Sequence, residues 1–167
     1  VKPDLTRCAT VGHSFGGVLA ANIAAVAARD GLPKVKAVFV VEPGTGGFGN
    51  PYADYAMIPA GTLLLCMAAD EDLMVRDRDA IRIFREAKNV KKDDRNLIFL
   101  ASDRRGTPPL NADHFAPIAG FLGTDALDWY GFWKWFDGLT DAAFYNRNRE
   151  FGLGNTPEQR FMGKWSD

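Results

Sequence analysis

The segment Gly12-His13-Ser14-Phe15-Gly16 constrains this chain most, because it lies between a β-type run, Leu5 to Gly12, and an almost wholly apolar run, Phe15 to Arg29. A G-x-S-x-G pattern at a strand-to-helix junction implies a sharp turn that holds its serine in strained backbone angles, with glycine where no Cβ fits beside it. The helical run is apolar around most of its circumference, so helix and strand both belong deep in a molecule. Gly31 and Pro33 mark its end.

Short β-type runs then alternate with longer helical ones. Val35 to Val41 is a strand broken by Glu42-Pro43-Gly44, and a glycine-rich loop follows to about Gly61. Thr62 to Ala69 is a third strand, Asp77 to Lys88 an amphipathic helix, and Asn96 to Ala101 a fourth strand. A polar loop holding Pro108, Pro109 and His114 leads to a helix over Asp125 to Tyr145. That helix places Trp129, Phe132, Trp133, Phe136, Leu139 and Ala143 at helical spacing, with Thr124 as its N-cap. The remaining residues are aromatic but irregular. The order predicts an α/β fold, a mostly parallel sheet flanked by helices, in a single domain over residues 1–167.

Charge and composition exclude several roles. Lys+Arg at 20 against Asp+Glu at 21 leaves a net charge of −1, which gives no electrostatic footprint for nucleic acid or an anionic membrane surface. The longest apolar stretch, Val18 to Ala28 broken only by Asn22, is well short of the roughly 20 residues of a membrane-spanning helix. Cys8 and Cys66 fall in strands separated by Val35–Val41, about 9.6 Å apart if strands follow sequence order, so both are expected as free, buried thiols. Neither cysteine nor histidine shows zinc-ligand spacing, and the glycine turn lacks G-x-G-x-x-G; no metal or cofactor is implied. The opening residues, Val1-Lys2-Pro3-Asp4, carry no basic-then-apolar leader and no initiating Met, and neither compartment nor oligomeric state is read from them.

A serine hydroxyl needs a base to become a nucleophile, and the histidines are His13 and His114. Strand alternation throws the His13 side chain to the other face from Ser14, whereas His114 follows the last strand, at the edge where parallel sheets bind ligands. An orienting acid comes from Asp70, Glu71 or Asp72, directly after the third strand, and any of them keeps the chain order Ser, acid, His. Glu42 competes from the next loop over, with a structural or site-lining role. The helix from Phe15 points its positive dipole end at the serine, and the Phe15 N–H is the expected oxyanion donor. Adjacency to these loops makes Pro43, Phe48, Met74 and Phe115 candidates for apolar lining.

Three segments together resemble the α/β-hydrolase superfamily: Gly12-His-Ser-Phe-Gly-Gly17, Asp70-Glu-Asp72-Leu-Met-Val75 and Ala112-Asp-His114-Phe-Ala-Pro117. The family's acid is the aspartate of a G-x-x-D-x-x-V pattern, which selects Asp72 over Asp70, with Ala69 in place of the glycine. The loop from Glu42 to Gly61 is too short for a helical cap, which makes the chain similar to lid-less carboxyl-ester hydrolases of the dienelactone- and polyester-hydrolase kind. The resemblance implies a Ser14–His114–Asp72 triad that cleaves a small-molecule or lipid-like ester through an acyl-enzyme. Thioester, lactone or amide cleavage uses the same triad, and a non-catalytic module is the rival from another class. It also implies that this is the C-terminal portion of the fold, without the strands and the second oxyanion donor that precede the nucleophile strand, so that the chain alone is weak or inactive.

Overall fold

The computed structural model describes residues 2–47, 49–118 and 123–165. Four strands, β1 (Cys8–His13), β2 (Val35–Val41), β3 (Leu63–Ala69) and β4 (Arg95–Leu100), form an all-parallel sheet in the order β1-β2-β3-β4. β2 and β3, nearly continuous in Val, Leu, Ala, Phe and Met, are the central strands. Their apolar runs are long because both faces are covered.

Alternation divides the core in two. Val38, Val40, Leu64, Cys66 and Ala68 face α1 (Phe15–Val26) and α2 (Arg78–Glu86). Ala37, Phe39, Val41, Leu65 and Met67 face the opposite layer. That layer is α3 (Lys134–Tyr145), entered through a π-helical turn over Asp128–Trp133, and it buries Phe132, Trp135 and Leu139 against the sheet. Burying one such side chain contributes about 1.5–3 kcal/mol. Two short helices, α4 (Arg149–Gly152) and α5 (Pro157–Arg160), give the tail an order its sequence did not suggest. The α3–α4 contact is glycine against glycine, since a Cβ on Gly138 would lie 2.7 Å from the Gly152 nitrogen. No helix among the described residues is long and apolar enough to cross a membrane.

Other expectations change in detail. β1 starts at Cys8 rather than Leu5, because Asp4 accepts hydrogen bonds from the Thr6 N–H (3.0 Å) and hydroxyl (2.6 Å) and winds residues 4–7 into a turn. Past Val26, α1 runs into a turn closed by Gly31 at φ 66°, where the Leu32 N–H reaches the Ala27 carbonyl at 2.9 Å. Asp125, not Thr124, caps the last long helix: its carboxylate accepts from the Leu127 N–H at 2.7 Å, while its own N–H donates to Asp128 at 3.0 Å. Both cysteines are free, but only Cys66 is buried; Cys8 is half-exposed on edge strand β1.

The register positions the site. His13 lies beside Val41, Val41 beside Met67, and Ala69 beside Leu100, so the four strands finish along one edge of the sheet. The loops that follow all open there.

Candidate active site

Ser14 is the hinge between β1 and α1, at φ 57° and ψ −127°, a left-handed backbone that costs a non-glycine residue about 1–3 kcal/mol. Hydrogen bonds on both sides hold it: the Ser14 N–H donates to the Val41 carbonyl at 3.0 Å, and the Ser14 carbonyl accepts from Gly17 (2.9 Å) and Gly44 (3.2 Å). The glycines around it differ in necessity. A Cβ on Gly12 would fall on the Gly16 carbonyl, and one on Gly17 would sit 3.0 Å from the Gly12 oxygen, yet one on Gly16 would meet nothing within 4 Å. The expectation that each motif glycine answers to a missing Cβ therefore fails at Gly16, whose backbone is what Gly12 must clear.

The His114 loop is moored to the ends of β3 and β4. Asp103 and Leu110 form an antiparallel bridge at its base, the Glu71 N–H donates to the Ala112 carbonyl at 3.0 Å, and the Ala112 N–H donates to the Ser102 hydroxyl at 2.9 Å. Asp70 belongs to this mooring: its carboxylate accepts from the Ser102 N–H at 3.0 Å and hydroxyl at 2.8 Å. Asp72 turns inward. Its Oδ1 accepts from the Met74 and Val75 N–H groups at 2.9 and 3.0 Å, which aims Oδ2 at the ring of His114.

His114 Nδ1 lies 2.8 Å from Asp72 Oδ2, and Nε2 lies 3.0 Å from Ser14 Oγ, with both His114 and Asp72 buried. An imidazole held this way carries its hydrogen on Nδ1 toward the carboxylate, so that Nε2 presents a lone pair to the hydroxyl. A proton can then pass from the hydroxyl to Nε2 while the carboxylate stabilises the resulting imidazolium.

Two further groups crowd this line. The His13 ring packs at a tilt of 44° against His114 with centroids 4.6 Å apart, and its Nε2 lies 3.5 Å from Glu42 Oε2, which is itself 3.7 Å from His114 Nδ1. His13 does face away from α1, but that is the face from which the His114 loop descends, so it meets His114 rather than leaving the site. Glu42 is fully buried at φ 42°, and both its carboxylate oxygens, like His13 Nε2, lack a hydrogen-bond partner among the described residues. Burial pushes its carboxyl above the usual range, against the opposing pull of His13. His13, Glu42 and His114 thus offer one metal-binding donor each within 4.8 Å of one another, a cluster that ligand spacing along the chain does not reveal. The signal available in the sequence was the position of His13 and Glu42 at the ends of neighbouring strands.

The remaining candidates scatter. Phe15 opens α1 immediately after Ser14. Pro43 is buried behind the turn, its Cβ facing Gly17, and does not line an open surface. Phe115 is half-exposed with its ring 5.9 Å from that of His114. Met74 is exposed in a cleft of about 590 Å³ whose walls include Gly44, Thr45, Gly47, Arg76 and Arg78. Phe48 lies outside the described residues. Comparison of the chain with family models, with curated proteins and with solved structures found no match.

Proposed function

We propose that the chain is a serine hydrolase of the α/β-hydrolase kind that cleaves carboxylic esters. The observation that carries this reading is the line Asp72 Oδ2–His114 Nδ1–Ser14 Oγ, at 2.8 and 3.0 Å, built on a serine whose backbone is held at φ 57°. Ser14 attacks the ester carbonyl as His114 Nε2 takes its proton. The imidazolium, stabilised by Asp72, then returns the proton to the leaving alcohol, and water resolves the acyl-enzyme by the same route. The Phe15 N–H, at the positive end of α1, is the donor assigned to the oxyanion. The outer edge of β1, unpaired among the described residues, is where the preceding strands of such a fold pair, and a second oxyanion donor comes from that side.

Labelling the chain with a fluorophosphonate probe, with circular dichroism to verify folding and peptide mass spectrometry to locate the label, tests the reading. Label on the Ser14 peptide, absent from Ser14→Ala, is the expected result. A folded chain whose Ser14 takes no label overturns it.

A further inference from the structure

We propose that His13, Glu42 and His114 form a zinc site that switches the serine off by fixing the wrong tautomer of His114. The switch rests on the serine-hydrolase reading, whereas the binding does not. Zinc bonds of about 2.0–2.2 Å in a tetrahedron set neighbouring ligand atoms about 3.4 Å apart. Glu42 Oε2 stands 3.5 Å from His13 Nε2 and 3.7 Å from His114 Nδ1, close to that edge on both sides. Asp72 Oδ2, 2.8 Å from the same Nδ1, accepts the hydrogen that a metal would replace and gives way as the metal takes that place.

The polar bookkeeping of the site points the same way. Both Glu42 oxygens and His13 Nε2 are buried atoms with no hydrogen-bond partner among the described residues, and the carboxylate sits at a strained backbone angle with the two imidazoles 3.5 and 3.7 Å from it. A cation bound by all three residues satisfies them together. Two imidazoles and a carboxylate match a borderline metal such as Zn²⁺ and not Ca²⁺ or Mg²⁺, which seek oxygen. The His13 side chain, about a quarter exposed, gives the ion its way in.

Metal on Nδ1 displaces the hydrogen from that nitrogen, so the neutral ring carries it on Nε2. That N–H then donates to Ser14 Oγ and has no lone pair with which to take the serine proton. The block is complete without moving His114 and is reversed by a chelator.

The test uses the whole chain. Equilibrium dialysis against ZnCl₂ is expected to show one ion bound per chain, with Ca²⁺ neither binding nor competing. Long-range ¹H–¹⁵N spectra of the unaltered protein are expected to place the metal-induced shifts on His114 Nδ1 and His13 Nε2. In the labelling assay, each protein's rate in Zn²⁺ is divided by its own rate in EDTA. His13→Asn and Glu42→Gln are expected to need at least about 10- to 100-fold more zinc for the same inhibition, the loss seen even for residues that only orient metal ligands. Absence of binding, shifts on His114 Nε2 alone, or zinc affinity unchanged in both variants, as for binding at Cys8, overturns the site. A serine that stays unlabelled even in EDTA counts against the hydrolase reading and leaves dialysis and spectra to decide the zinc site.

Discussion

Asp70 and Asp72 stand two residues apart on one turn and point to different partners: Asp70 closes on Ser102, at 3.0 Å from its N–H, while Asp72 closes on His114 at 2.8 Å. The chain thus separates two duties among neighbouring acids. One moors the histidine loop and the other orients the ring.

Exchange of the two acids distinguishes these duties. Asp72→Asn offers His114 an amide that stabilises the wrong tautomer, and turnover of a chromogenic ester is expected to fall on the order of 10⁴-fold with little change in fold. Asp70→Asn keeps an oxygen for Ser102 and is expected to fall less than about tenfold, the scale of one weakened hydrogen bond. Steady-state kinetics of both variants check the assignment.

Gly12→Ala and Gly16→Ala are expected to differ in sign although both alter the same motif. The methyl group at position 12 meets the Gly16 carbonyl, and the chain is expected to lose about 1–3 kcal/mol or more from overpacking. At position 16, inside the first turn of α1, a methyl group meets nothing, and the better helix former is expected to add about 0.5–1 kcal/mol. Urea denaturation of each variant reads both.

Glu42 gives the stability a pH dependence. Burial raises its carboxyl above the unfolded value, so the folded state holds that proton more tightly, and its contribution is complete at low pH and lost as pH rises through the folded pKa. Glu42→Gln removes the buried charge. Thermal melts are expected to show the variant gaining over the parent at about pH 8 and the gain vanishing by about pH 4.

Asp125→Ala removes the cap of the last long helix and half of its reciprocal pair with Asp128, and is expected to cost about 1 kcal/mol. Thr124→Ala, which removes no side-chain hydrogen bond among the described residues, is expected to change the melting temperature little. Differential scanning calorimetry separates the two.

Much of this architecture was legible because burial repeats simply in central strands. Val35–Val41 was readable to the residue, since an apolar run ends at Glu42-Pro43 and nothing competes with it. At Leu5 the same reasoning overreached: Asp4 offered the backbone a local turn, and no pattern of apolar residues records a side-chain hydrogen bond. Ser14, His114 and the acid segment were visible as residue types in order, but choosing Asp72 over Asp70 by geometry requires knowing that Met74 and Val75 turn their N–H groups inward. The meeting of His13, Glu42 and His114 was hidden for a different reason. It depends on two strand ends and a returning loop, and no local spacing encodes a contact made by register.

The four strands pair in the order in which they occur along the chain, so each ladder joins neighbours and closes only a modest loop. The Ser14–His114 contact instead spans 100 residues and forms only where all four strand ends meet the returning loop. Its entropy of closure is met after the shorter-range pairings, which places it late in assembly. For a serine hydrolase of this kind, Ser14 is then an ordinary alcohol until the strand ends and the His114 loop have come together.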